Sequence, residues 1–210
     1  MEIRWFGHAS FGIFTSRGTI LTDPFDESVG YRIPDIEPDV VLVSHEHYDH
    51  NNTKDLKGNP VIIRGSGIHK AIDVEFEGIR TYHDDALGAK RGENTVFVFE
   101  VDGLRLCHLG DLGDIPADET LRAMKGSGID ILFTPVGGVY TIDWQGANKM
   151  IDLLKPKITI PMHFKTQACR LDIDPVDPFL EGKKYERMKV LTVDSDSISD
   201  IPPVVLLEYE

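Results

Sequence analysis

Ser44-His45-Glu46-His47-Tyr48-Asp49-His50 decides the reading of this chain. It follows Val40-Val41-Leu42-Val43, an apolar run that reads as a buried strand. Three histidines and one aspartate fall within six residues where that strand must end, and each binds a divalent metal when deprotonated. In extended backbone, residues i and i+2 point the same way, so His45 and His47 can reach one metal together. The polar stretch Tyr48 to Asn52 suits a turn that re-aims Asp49 and His50 toward a second metal beside the first. Two metals roughly 3.5–4 Å apart can share a bridging water and clamp both sides of a substrate group. Glu46 should point the other way and is read as structural.

The 210 residues, 41% hydrophobic and 27% charged, suffice for one sizeable core, so a single domain over 1–210 is the simplest division. The net charge of -13 opposes broad nucleic-acid binding, which needs a basic face, but leaves room for a small positive site around metals. Cys107 and Cys169 suggest no disulfide framework and read as free thiols in a reducing cytosol, so a cytoplasmic location is expected. The start, Met1-Glu2-Ile3-Arg4-Trp5, lacks the apolar core of a signal peptide, and no run is long enough to span a bilayer. Neither a secreted nor a membrane protein is expected; assembly into a homo-oligomer stays open.

The first half reads as strands at Ile3–Phe6, Phe11–Thr15, Thr19–Thr22, Val40–Val43, Val61–Arg64, Ile79–Tyr82, Thr95–Val101 and Leu104–His108. Ser16-Arg17-Gly18 and Asp102-Gly103 are hairpin turns. The second half alternates helix and strand. Pro116 opens a helix that Gly126 closes, and Asp143 caps a helix that Pro156 stops. Ile129–Thr134 and Lys157–Pro161 are strands, Pro178–Met188 is expected to be helical, and Val190–Val193 and Pro203–Glu208 close the fold. Two sheets with helices outside them follow, with functional residues on loops at one sheet edge.

A two-metal site needs about two more histidines and a bridging carboxylate. His163 sits just past a strand and fits a ligand. Asp111, between Gly110 and Gly113, also follows a strand; its two oxygens can bridge two cations while the glycines let backbone approach closely. His83 and His108 compete for the last place, and His83 is favoured because it ends its strand whereas His108 still lies on one. His108 then stands behind the ligands or touches substrate. His8 can line the site or donate a hydrogen bond, and Asp23 can accept the second N–H of a ligand histidine. His69 reads as a surface residue.

His45-Glu46-His47-Tyr48-Asp49-His50 fits the HxHxDH signature in full, and the chain resembles the metallo-β-lactamase superfamily. Gly7-His8, Thr22-Asp23-Pro24, His83, Gly110-Asp111 and His163 follow in that superfamily's order. The resemblance implies a four-layer αβ/βα sandwich of the α/β (α+β) class with its site at one edge. It implies His45, His47 and His83 as ligands of one metal, Asp49, His50 and His163 of the other, and Asp111 as the bridge. Within the superfamily the chain looks most like the compact branch that includes L-ascorbate-6-phosphate lactonase. It is shorter than that lactonase and lacks an added RNA-handling domain.

The function expected is a binuclear metal-dependent hydrolase, in which a metal-bridging hydroxide cleaves an ester, lactone or phosphoester bond. Asp49 is read as catalytic, orienting the nucleophile or shuttling its proton. His108, His8 or Tyr140 can assist the leaving group. Nitrogen and oxygen donors fit zinc first, then manganese or iron. A site left net positive suits a small anionic substrate, and Arg91 and Lys165 flank site loops where they can hold its charge. The alternatives are a phosphodiesterase or ribonuclease acting on nucleotides or short RNA, and a metal-binding regulatory protein without turnover.

Overall fold

Both faces of the 40–43 run are covered, as its unbroken apolar sequence requires. The computed structural model describes residues 1–210. Six strands form one sheet: β1 (Glu2–Gly7), β2 (Ser10–Thr15), β3 (Gly18–Thr22), β4 (Val40–Val43), β5 (Val61–Arg64) and β13 (Val190–Thr192), in the order β13-β1-β2-β3-β4-β5. Eight strands form the other: β6 (Gly67–Ala71), β7 (Val74–Tyr82), β8 (Glu93–Val101), β9 (Leu104–His108), β10 (Ile131–Pro135), β11 (Ile158–Met162), β12 (Tyr185–Met188) and β14 (Val204–Leu207), in the order β12-β14-β11-β10-β9-β8-β7-β6. The fold is mixed α/β with two sheets and few helices.

The core lies between the sheets. Val40 and Leu42 of β4 point into it with Ile3, Phe11, Ile13 and Ile20, against Phe97, Phe99, Leu106 and Phe133 of the larger sheet. The alternate residues Val41 and Val43 face the other way, into a second cluster with Phe6, Leu21, Phe25, Val29 and Tyr31. That outer face is covered by turns and loops, including the 3-10 turn Glu27–Val29, where further helices were expected. Of the helices, α1 (Asp118–Lys125) packs on β7, and α2 (Trp144–Leu154) packs on β10, on α1 and on the short α3 (Asp177–Leu180). Asp143 caps α2 by accepting from the N–H groups of Gln145 and Gly146.

Two stretches differ from the sequence reading. The helix expected over Pro178–Met188 stops at Leu180; Gly182 takes φ +73°, and Tyr185–Met188 pairs with β14 as an edge strand. Its side chains are largely exposed, so no period-2 apolar pattern marks it. Residues 67–78 form an unforeseen hairpin, β6 with an extended β7, whose turn is Ile72-Asp73 at φ +46° and +56°. Isoleucine rarely takes that conformation, so the turn is hidden in the sequence.

Candidate metal centre

Six strands from both sheets end on one edge, and each delivers a side chain there. The turn after β1 carries His8; β3 is followed by Asp23, β4 by His45, β7 by His83, β9 by Asp111 and β11 by His163. The loop from His47 to His50 is pinned to the segment after β3: the Asp26 N–H donates to the Tyr48 carbonyl at 3.1 Å, and the Asn52 N–H to the Pro24 carbonyl at 2.8 Å.

Asp111 stands at the centre. Its Oδ2 lies 3.3 Å from Nε2 of each of His50, His83 and His163, and 4.0 Å from Nε2 of His45. Around it are two sets of potential ligands, with donor atoms mutually within 4.8 Å in each: His45, His47 and His83 on one side, and His8, Asp49, His50 and His163 on the other. His45, His50 and Asp111 form a third, linking set. Glu46 points outward and pairs with Arg64.

Charges are set by mutual contact. Burial opposes ionisation of Asp111, but the imidazoles of His163 and His50 outweigh it and hold the carboxyl well below its usual range. Burial also disfavours charge on His50, yet Asp111, Asp49 and Asp23 surround it and raise its pKa well above the ordinary value. Asp49 is held ionised against burial by His50 and His8. His45 is pushed down to about 3 by burial and by His50, and His8 to about 4 by burial and by His163. Neutral imidazoles and ionised carboxylates are the forms that bind metal.

Side chains behind the cage fix its orientation. The Ser44 backbone N–H donates to Asp23 Oδ1 at 2.7 Å, and its hydroxyl donates to Oδ2 at 2.8 Å. The hydroxyl proton is thereby used, so at 2.9 Å the Ser44 Oγ accepts from His45 Nδ1–H. This tautomer turns the lone pair of His45 Nε2 toward the cage. Asp23 Oδ2 also lies 3.1 Å from His50 Nδ1. His8 Nε2 meets Asp49 Oδ2 at 3.2 Å. His8, Asp23 and His163 all adopt left-handed backbone, at φ +53°, +37° and +52°.

His108 does not reach the cleft. Its Nε2 donates to the Ala9 carbonyl at 3.0 Å and its Nδ1 accepts from the Gly110 N–H at 3.1 Å, so both ring nitrogens are used on backbone. It is absent from the cleft lining and tethers β9 to the β1–β2 turn. Lys165 lines a neighbouring groove, and its Nζ donates to the carbonyl of Leu171, a residue of the cleft lining. Arg91 and Tyr140 do line the cleft, which has a volume of about 340 Å³.

One contributor escaped the sequence reading. Asn94 is buried, accepts from the Asp111 N–H at 2.9 Å, and donates to Thr81 Oγ1 and the Leu109 carbonyl. An asparagine opening an apolar strand was the one available sign, since strands disfavour it. Gly110, expected to let backbone come close, takes φ +54°, and its close neighbours are side chains: a Cβ there would lie 2.4 Å from Asn94 Oδ1 and 2.6 Å from the Ser44 Cβ.

The fit to metal can be judged from the atoms themselves. His45 Nε2, His50 Nε2, both ring nitrogens of His163 and Asp111 Oδ1 are buried and make no hydrogen bond. Left unpaired, these buried polar atoms would be costly, and cations facing the Nε2 lone pairs and the Asp111 carboxylate would satisfy the acceptors among them. The donor set is nitrogen and oxygen only, so the residues can hold divalent metal.

Comparison with known proteins points the same way. Residues 2–163, which include every residue of the cage, match the family model described as a beta-lactamase superfamily domain. A UPF0173 metal-dependent hydrolase of Thermoplasma volcanium is 33% identical over 85% of this chain and 88% of its own length. One from Thermoplasma acidophilum is 32% identical over 91% and 90%. A crystal structure from Thermotoga maritima, described as a candidate Zn-dependent hydrolase of the metallo-beta-lactamase superfamily, is 38% identical over 100% of this chain and 99% of its own, with a TM-score of 0.83.

Proposed function

This chain belongs to the metallo-β-lactamase superfamily, in its UPF0173 metal-dependent hydrolase family, and on that premise we propose that it hydrolyses an ester, lactone or phosphoester bond in a small anionic molecule at a pair of divalent metal ions. The supporting observation is the central carboxylate of Asp111 facing four imidazoles, of which the Nε2 atoms of His45, His50 and His163 are buried and have no hydrogen bond. His45, His47 and His83 would hold one ion, Asp49, His50 and His163 the other, and Asp111 both. Zinc ranks first for these donors, with manganese and iron behind it. The lactonase branch is the finer reading within the superfamily.

Bound metals supply an acidified water near neutral pH and a counter-charge for the oxyanion. The chain does the rest. Asp49 Oδ2 is held at 3.2 Å by His8 Nε2, so the carboxylate that would face the ion also keeps a fixed direction for a hydrogen bond from the attacking water. For an ester, the acyl carbon gains the water oxygen, the C–O bond breaks, and the leaving alkoxide takes the proton. His8 keeps Asp49 from rotating away. Asp23 and Ser44 hold His50 and His45 with their cage-facing nitrogens inward.

The test is metal-replete protein assayed against an aryl ester, a lactone and an activated phosphodiester, with metal content counted by elemental analysis. The reading expects close to two metals per chain and turnover of at least one substrate. Full metal content with no turnover of any would leave a regulatory metal protein instead.

A further inference from the structure

The chain carries a net charge of -13, yet one cation stands at the mouth of the cleft without a carboxylate partner. Arg4, Arg64 and Arg80 pair with glutamates, while Arg91, like Arg17 and Arg122, has no ion pair but is the arginine that lines the cleft. The guanidinium of Arg91 instead lies over the ring of Tyr140, 5.4 Å from its centroid, with Nη2 3.4 Å from the Val139 carbonyl. Stacking occupies the face of a guanidinium and leaves its edge, the fork that matches a carboxylate, available.

Arg91 is held in place by its backbone. Asp84, next to His83, accepts from the N–H groups of Ala86 and Gly88 with Oδ1 and of Lys90 and Arg91 with Oδ2, at 2.7–2.9 Å. The loop that carries Arg91 is thereby wound around one side chain adjoining the cage. Across the cleft, Tyr140 follows Val139, whose φ of +60° is rare for a β-branched residue. That loop is pinned at both ends, by Ile142 N–H to the Leu112 carbonyl and Asp174 N–H to the Gly137 carbonyl, each at 2.8 Å. Tyr48, 54% exposed, Tyr140, 38% exposed, and Leu171 line the same mouth. Exposed aromatics over a polar floor make a site for a flat apolar group.

We propose, resting on the hydrolase reading above, that the substrate is a monoanionic ester with its carboxylate on a flat, unsaturated group, the charge held by the Arg91 fork and the flat face packed on Tyr140 and Tyr48. A carboxylate is favoured over a phosphate because Arg91 is the cationic side chain in the cleft lining, so one guanidinium meets one charge.

Three esters test this on the metal-loaded full chain: 3-acetoxybenzoate, its neutral match 3-acetoxybenzamide, and the saturated 3-acetoxycyclohexanecarboxylate. The benzoate should exceed the benzamide in kcat/KM by about tenfold or more, the worth of one charge-assisted contact. In Arg91→Ala the benzoate should lose about tenfold more than the benzamide; Arg91→Lys should restore part of that loss. Tyr140→Ala should narrow the gap between the benzoate and the cyclohexane ester, and Tyr140→Phe should keep it. Equal turnover of benzoate and benzamide by the wild type, or equal losses in Arg91→Ala, overturns the proposal. If no ester is cleaved, the hydrolase reading fails first, and binding then decides the substrate claim. 3-Hydroxybenzoate, unlike 3-hydroxybenzamide, should shift the Arg91 Nε–H resonance of the metal-loaded protein; no shift overturns it.

Discussion

The floor of the cleft and its rim are held by opposite means. The floor is made of side chains that are buried except for His47 and, in part, Asp49, delivered from strand ends of both sheets and fixed by one another's charge: Asp111 against His50, His83 and His163, Asp23 behind His50, Ser44 behind His45. The rim is made of half-exposed side chains on loops, fixed through backbone: Arg91 through the four amides gathered by Asp84, Tyr140 through a strained valine. A change in the floor should therefore alter what the protein binds as metal. A change in the rim should alter which molecule it accepts while metal content holds.

The sharpest way to break that division is Asp111→Asn. It keeps the volume and removes the anion that faces four imidazoles. Outer partners of metal ligands are worth roughly 10–100-fold in affinity, so loss of a shared ligand should exceed about 100-fold. Elemental analysis after dialysis should find the variant depleted; full occupancy would show that Asp111 is no bridge. Asp23→Asn comes next, with an expected loss of roughly 10–100-fold in metal affinity, because His50 loses a carboxylate at 3.1 Å and Ser44 loses its acceptor. A competing chelator titration measures it. Unchanged affinity would mean that packing alone orients His50.

The same division explains what was legible in the sequence. Floor residues stand at strand ends with nothing to do locally, so their chemistry shows through: His45, His47, Asp49, His50, His83, Asp111 and His163 all come to one edge. His108 was set apart from His83 as still lying on its strand; it is the last residue of β9, and its ring nitrogens are taken by the backbone of Ala9 and Gly110. The rim was hidden. Asp84 reads as one more turn aspartate, and only the folded loop reveals four amides on it. Arg91 was singled out, but Lys165 looked its equal until the structure turned it toward the Leu171 carbonyl. The Ile72-Asp73 hairpin and the β12 edge strand stayed unseen because tertiary pairing overrides their local preference.

Asp84→Ala separates the two regions with a smaller effect. Metal content should match the wild type, while KM for an anionic aryl ester should rise several-fold as Arg91 loses its fixed position. Metal loss in step with KM would make the loop part of the floor. Acid provides a second view. Burial opposes ionisation of Asp84, but the amides of Arg91, Ala86, Lys90 and Gly88 hold its pKa down to about 2. A carboxyl depressed in the fold contributes stability above its unfolded pKa near 4, and that contribution is lost as pH falls through the folded value. Amide proton shifts of Ala86, Gly88, Lys90 and Arg91 should thus stay fixed from pH 7 to about 4. A shared midpoint near 4 would remove the carboxylate as their anchor.

The smallest expected effect tests whether rim strain is real. Left-handed backbone costs a side-chain-bearing residue roughly 1–2 kcal/mol, and Val139 at φ +60° is 56% exposed, with little packing to offset it. Asparagine tolerates that conformation far better than valine. Val139→Asn should therefore stabilise the protein by about 1 kcal/mol and raise Tm by about 2–4 °C, with metal content unchanged. If strain also serves to hold Tyr140 over Arg91, the stabilised variant keeps its preference for a flat anionic ester, because asparagine retains the backbone angle. Val139→Gly retains no such constraint and should lose part of the preference as the loop gains freedom. A fall in Tm with asparagine would mean that the valine side chain is held by contacts worth more than its strain, and the rim would then be packed like the floor.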